Sequence, residues 1–490
     1  MTTTLTSDSP AGAVRIERAP RSGHALAALG IGVGAFATLQ SLLVPVLPLV
    51  QVDLLTDASG VAWTLTAWLI TAAVATPLLG RVGDLIGRRR VFLLALGAIA
   101  VGSLVAALAP NLTVLLVGRV LQGVGGAIFP LGFGLVREIM PAGRVGSGIG
   151  VLSAIVSSGA GIGTALAGPL STLVGWRGLF LVPLIGVLIS ALMVRRFVPA
   201  ADERGSGRIN VPAAILLSTW LVAALLPLSL AGSVGWTSPF ILGSFAVAAL
   251  ALAGWIVVEL RSSEPLVDMR MLRLPGVWNT NVAAILLGAA MFGVWAYFAR
   301  FLQEPTSTGY GLGASVAESG LLMLPMLVLM AFAGLATGPL TKWIGLRTQL
   351  TIAAALVAAS TAAIALVHET AFELALWAAV FGIGLGLANA ATASIVVQSV
   401  PLNQTGVASG MNANFRTIGS AIGTAVTTAI VTGTSHGATS EPTEAGYTMG
   451  FLVLAGAALL AAVAAVAGRP RRRRRQPADE TVVFEALAEA

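Results

Sequence analysis

The stretch GRVGDLIGRRR, residues 80–90, holds five charged side chains in eleven residues. The chain around it is 56% hydrophobic and 10% charged. The apolar runs on either side, at roughly 60–79 and 91–109, each come to about the 20 residues an α-helix needs to cross a hydrocarbon core. Gly80, Gly83 and Gly87 permit a tight turn and close helix approach between them. The stretch therefore reads as a charged hairpin joining two membrane-spanning helices. The rest of the chain divides in the same way.

Mean hydropathy is +0.90, whereas a soluble domain carries about 25% charged residues. Apolar segments fall at roughly 24–50, 60–79, 91–109, 112–136, 146–170, 177–198, 211–230, 238–260, 277–302, 315–338, 349–367, 372–397, 407–432 and 447–468, about fourteen spans in all. The fold expected is an all-α polytopic membrane protein. Its order is a tail over 1–23, a six-helix bundle over 24–198, a linker with two extra helices over 199–275, a second six-helix bundle over 276–468 and a basic tail over 469–490. The N-terminus lacks a short apolar core followed by a small-residue cleavage site, so no removed signal peptide is expected. Cysteine is absent, and His24, His368 and His436 lie far apart, so no metal or other cofactor is expected. No G-x-x-x-x-G-K-[ST] motif occurs, so active transport would run on an ion gradient, with protons the expected ion.

With the N-terminus placed in the cytoplasm, 24 of the 28 basic residues fall on the cytoplasmic side, all but Arg119, Arg177, Arg300 and Arg416. The opposite loops carry acids: Asp53, Asp57, Glu304, Glu369, Glu373, Glu441 and Glu444. The bias never inverts along the chain, which requires an even number of spans and puts both termini in the cytoplasm. The formal charge of +7 is not read as a nucleic-acid surface, because the arginines sit at helix ends. The arginines at 471–475 are either a patch for anionic lipid or nucleic acid, or an anchor after the last helix.

The hairpin has an echo. GPLTKWIGLR, residues 338–347, follows the tenth span, and Gly80, Asp84 and Gly87 have the spacing of Gly338, Lys342 and Gly345. GVLS from Gly150 is matched by GVAS from Gly406, and Gly163 and Gly419 follow at equal distance. The two pairs are separated by 258 and 256 positions. A parallel repeat of two six-helix units, with 211–260 inserted as a lipid-facing spacer, accounts for both, and such repeats are a known transporter architecture.

GRVGDLIGRRR resembles the loop signature of the major facilitator superfamily between its second and third helices. GRVLQGVGGAIFPLG, residues 118–132, resembles the family's fourth-helix motif, with Arg119, Gln122, Gly123, Gly125 and Gly126 in register. Twelve helices plus a central pair resemble the fourteen-span drug:proton antiporter branch. SSGAGIGTALAGPLSTL, residues 157–173, is similar to that branch's fifth-helix signature at Gly168 and Pro169, with Gly159 and Gly163 part of the same packing run between the halves. Thr164, Ser171 and Thr172 replace expected glycines, and the acid common in the branch's first helix is absent, Gln40 being the nearest polar residue. The resemblance implies a gating latch at Asp84, with Gly80, Gly83, Gly87 and Arg88, and proton coupling at Arg119.

Read on their own chemistry, these residues keep alternatives. Asp84 pairs with Arg88 or a basic group elsewhere, or is drawn to a helix N-terminus, and otherwise only sets topology. Arg119, at membrane depth, is a functional group or snorkels. Asn412, Asn414, Arg416 and Thr417 form a wetted face that lines a cavity or bonds neighbouring helices; Gln40, Gln122, Asn389 and Gln398 are further cavity candidates. Glu318 is either a partly buried proton carrier or a solvated helix cap. Arg300 stands one turn from Glu304.

The function expected is secondary active export of small amphipathic compounds across the plasma membrane, against inward proton flow. The few acids in the core favour neutral or anionic substrates. The partners expected are the substrate and the lipid bilayer, with no obligatory protein partner. An importing symporter shares the scaffold. An intramembrane enzyme would need a cluster of acids or histidines that the sequence lacks.

Overall fold

The computed structural model describes residues 19–56, 58–199, 208–434 and 442–467. Arg15, Arg18, Asp57, Arg204, His436, Glu441, Arg469 and the arginines at 471–475 lie outside the described residues, as do most of both tails. The described residues are helical, with no strand among them. The first half comprises α1 (Ala19–Leu42), α2 (Leu47–Asp53), α3 (Ala58–Ile86), α4 (Arg88–Ala107), α5 (Leu112–Gly123), α6 (Ile128–Ile139), α7 (Val145–Gly178) and α8 (Leu181–Phe197). Next come α9 (Val211–Val234), α10 (Pro239–Arg261) and the short α11 (Met269–Leu272). The second half holds α12 (Pro275–Gln303), α13 (Val316–Leu340), α14 (Leu346–Leu366), α15 (Ala371–Ser399), α16 (Thr405–Gly433) and α17 (Glu444–Ala467).

Each of the fourteen expected segments is helical. Among the described residues, twelve helices pass as membrane spans by length and apolar composition alone, or thirteen when the pair Leu166–Gly178 and Leu181–Phe197, bent by 79°, is taken as one span. Among the helices outside that set is α16, because Asn412, Asn414, Arg416 and a run of threonines dilute its apolar surface.

Local chemistry sets the helix starts. Asn111 accepts the Val114 amide at 3.0 Å to open α5, and Asn210 accepts that of Ala213 at 3.1 Å to open α9. Ser315 with Glu318, and Thr370 with Glu373, form capping boxes for α13 and α15. Large apolar side chains such as Leu192, Leu250 and Leu459 point outward, as a hydrocarbon surrounding allows.

The first half has its own apolar core, around Leu29, Phe36, Phe92, Leu96 and Leu152. The second centres on Phe298, Phe301, Val357, Phe381 and Phe451. A third cluster refines the reading of the inserted pair as a lipid-facing spacer, which holds for α10 but not for the inner face of α9. Leu217, Trp220 and Leu221 of α9 pack with Val407 and Met411 of α16, with Val74 and Leu78 of α3 against them. The inserted pair is docked on both halves through α9, with α10 packed on its outer side.

Two seams join the halves. In one, α3 runs along α16; in the other, α7 runs along α13. Small residues make the approach close. A Cβ at Gly80 would stand 2.6 Å from the Gly406 carbonyl oxygen, and one at Gly150 would stand 2.7 Å from that of Gly334. Both seams tighten toward the end bearing Arg88, Arg137 and Lys342, hereafter the basic end.

Candidate functional site

The hairpin sits where the first seam reaches the basic end. α3 remains helical through Ile86, and the chain then turns at Gly87, whose φ of +102° favours glycine. This places Asp84 on the last turn of α3, against the first turn of α16. Its carboxylate accepts two backbone N–H groups across the seam: Gly406 to Oδ1 and Val407 to Oδ2, both at 3.1 Å. An anion at a helix N-terminus meets unsatisfied N–H groups and the positive end of the helix dipole. Arg88 steadies the same carboxylate, donating to Oδ1 from Nε at 3.0 Å and from Nη2 at 2.7 Å.

Arg88 also bonds Glu138 at the end of α6 and the Leu402 carbonyl oxygen across the seam. Arg137 donates from Nη1 to the Val400 carbonyl oxygen and to Thr405 Oγ1, each at 2.8 Å. The first half thus grips both helix ends at the α15–α16 turn. A carboxylate meets the amides that open α16, the Arg137 guanidinium meets the Val400 carbonyl at the end of α15, and that of Arg88 meets the Leu402 carbonyl in the turn between them. Asp84 and Arg88 are 8% and 4% exposed, so this lattice of charge-assisted bonds is poorly screened.

Gly83 packs its Cα side against Leu131, and Gly134 gives Arg88 its room. Arg137, Glu138, Leu402 and Thr405 are the members sequence reasoning missed. Charges at helix ends look alike in sequence, and the only signal was the acid beside an arginine in VREI.

Arg119 is fully buried inside the first half, about 10 Å along its helix from Leu112. It does not snorkel. Nε donates to the Thr64 carbonyl oxygen at 3.0 Å, Nη1 to Gln122 Oε1 at 2.7 Å, and the guanidinium lies 5.6 Å from the Trp68 ring centroid. Gln122 donates in turn to Ser103 at 3.2 Å, so it braces Arg119 rather than lining a cavity.

In the second half Asn389 and Arg416 line one small cavity. Asn412 does not join them: it is buried and donates to Asn281 at 2.9 Å, a bond between α16 and α12. Asn414 donates across the first seam to the Ala73 carbonyl oxygen at 2.8 Å. Gln40 is partly exposed on α1. Glu318 is exposed and closes the capping box of α13, accepting the Ser315 amide at 2.8 Å, so the partial burial considered for it is not found.

Of the packing run, Gly159 and Gly163 face α1, with Cβ positions 2.9 Å and 2.6 Å from the Gly34 and Thr38 carbonyl oxygens. The run therefore packs α7 within its own half. A Cβ at Gly168 would meet nothing within 4 Å and Pro169 is exposed, so these two take no part in the packing, which ends at the buried Ala167. At the end opposite Asp84, Arg177 pairs with Asp53, and Trp176 donates to the same oxygen at 3.1 Å. The Arg177 bond, aided by Trp176, holds the Asp53 carboxyl below its ordinary range. Arg300 pairs with the buried Glu304 at 3.5 Å, and Glu304 also accepts the Tyr447 hydroxyl at 2.7 Å.

Two helical halves of apolar helices, joined by small-residue seams with a charged cluster at one end, fit a multi-pass membrane protein. The sequence pattern of the Major Facilitator Superfamily matches residues 29–221 and 203–424. The chain is 28% identical over 430 residues to the tetracenomycin C resistance and export protein of Streptomyces glaucescens, covering 85% of this chain and 78% of that one. It is 30% identical over 481 residues to the methylenomycin A resistance protein of Streptomyces coelicolor, covering 96% of each. Its fold is similar to the crystal structure of the human organic anion transporter MFSD10 (TETRAN), with a TM-score of 0.67 and 16% identity, over 91% of this chain and 100% of that one. The chain belongs to the Major Facilitator Superfamily, as a transporter and not an enzyme.

Proposed function

We propose that the protein exports small amphipathic compounds across the plasma membrane by alternating access, driven by inward proton flow. One similar protein is a resistance and export protein and another a resistance protein, which supports the direction. The excess of Lys and Arg assigns the basic end and both termini to the cytoplasm. The observation that carries the reading is the tie of Asp84 to the Gly406 and Val407 amides. This contact is made only while the cytoplasmic ends are together and is lost when the halves rock apart. Closed there, the transporter is in its outward-facing state. Arg119, buried without a carboxylate partner among the described residues, is the proposed coupling group. No cofactor or protein partner is needed; the gradient, the substrate and the lipid suffice.

Sealed vesicles containing the purified protein test this. With a pH gradient imposed, internal pH is recorded while amphipathic compounds are added, with Asp84→Asn and Arg119→Ala alongside. The expected result is proton movement opposite to the compound, lost in Arg119→Ala. Movement in the same direction would make the protein an importer. Substrate flux without proton movement would end the coupling claim.

A further inference from the structure

Arg416 lies eleven residues beyond Thr405 in α16, about 16 Å along the helix from the basic end. An ionised group at that depth costs several kcal/mol and persists where a partner or function requires it. Its surroundings supply little. It faces a cavity of about 10 Å³, lined by Leu287 and Met291 of α12 and by Leu385, Asn389 and Thr392 of α15. That is room for about one water. Asn389 Oδ1 accepts from Nη1 at 3.5 Å, a long bond. The Thr392 hydroxyl is engaged by the carbonyls of Ala388 at 2.8 Å and Asn389 at 3.1 Å.

No acid comes near. Every acid among the described residues lies in a loop or in the first or last turn of its helix. None of the described ion pairs involves Arg416. Arg119 is different: it is fully buried, with a carbonyl, an amide oxygen and an indole face arranged around it and only Nη2 unpartnered, whereas Arg416 is partly exposed. Arg416 is therefore a five-donor fork in an apolar wall, with one weak acceptor.

We infer that Arg416 recognises an anionic group on the transported compound, a carboxylate, sulfonate or phenolate, with Asn389 as its neutral companion. Leu287, Met291 and Leu385 offer the apolar surface for the adjoining hydrocarbon. In the conformation described the cavity is nearly closed, so the anion enters as α12 and α15 part. The inference rests on the proposed transport of amphipathic compounds and names their charge.

The test is binding in lipid nanodiscs, which needs neither a gradient nor a direction of transport. The probes are dansylglycine, dansylglycinamide and dansylcadaverine: one fluorescent skeleton as anion, neutral amide and cation. Wild type should bind the anion at least about tenfold more tightly than the amide, the worth of a charge-assisted bond, and the cation most weakly. Arg416→Gln should erase the preference and leave amide binding intact; Arg416→Lys should keep its sign. Asn389→Asp should also erase it, by placing a carboxylate beside the guanidinium while keeping the arginine. It carries the test if Arg416→Gln fails to fold. Equal behaviour of the three probes in wild type, no binding included, overturns the inference, as does an unchanged preference in Asn389→Asp. A preference for the anion without proton-linked export would instead defeat the proposed function and leave this site standing.

Discussion

The two seams between the halves carry the matching sequence segments, yet among the described residues one is bridged by charge and the other is not. At the first, α3 stays helical to Ile86 and delivers Asp84 to the amides that open α16. At the second, α13 ends at Leu340, and Lys342, the counterpart of Asp84, turns outward and is exposed. The chemistry agrees with the geometry, since a cation gains nothing at the N-terminus of α7. Small residues serve both seams: Gly80 against Gly406 in one, Gly150 against Gly334 in the other. The first is also covered by α9, through Trp220 and Leu217, while Phe332 and Leu335 beside the second are exposed. Small residues set how closely the halves approach at both seams, and one acid, Asp84, bridges the first.

The largest effect should come from spoiling the shared element at the locked seam. Gly406→Leu places a side chain against the Gly80 backbone, which cannot yield, so the closed conformer should lose about 4 kcal/mol or more. The protein has no native cysteine, so alkylation of Ser409→Cys, a position on α16 that is buried in the closed conformer, reports the opening, and an unchanged rate would break the account of the seam.

Arg88→Ala comes next. It leaves Asp84 and Glu138 as neighbouring carboxylates without their shared cation, at a cost of about 3–5 kcal/mol to the closed state. The same alkylation assay should show it open more often than wild type. Lys342→Ala, at the unlocked seam, should change the closed population by less than about 0.5 kcal/mol; a larger change would mean that both seams are latched.

The smallest effect lies away from both seams. Because the Asp53 pKa is lowered in the folded protein, its tie to Arg177 is present above the ordinary carboxylate range, near pH 4. It is lost as pH falls through the lowered value. Wild type should therefore show a slight fall in Tm at acid pH that Asp53→Asn lacks, with no change in the latch.

The hairpin was legible because a charged cluster between two apolar runs of membrane length has few other readings. Asp84 was legible as an acid needing a partner, and the echo at Gly406 marked the residue whose amide supplies one. The rest of the lattice was not. Arg137 and Glu138 look like ordinary helix-end charges until α15 and α16 are brought against them. Asn412 and Arg416 look alike in sequence as polar interruptions of one helix. A rotation of about 400° between them, at about 100° per residue, still leaves one bonded to Asn281 and the other facing a cavity with Asn389. The inserted pair could not be placed from its own residues, because its partners belong to both halves.

The most direct measurement is the distance between spin labels on Arg90→Cys and Asn403→Cys, which flank the latch on opposite halves. In lipid nanodiscs without substrate, wild type should give a dominant short distance. Asp84→Asn, which keeps the shape and removes the charge, should shift most of the population to a longer one. Identical distributions would contradict the claim that this carboxylate, held on the first turn of α16, keeps the basic end shut.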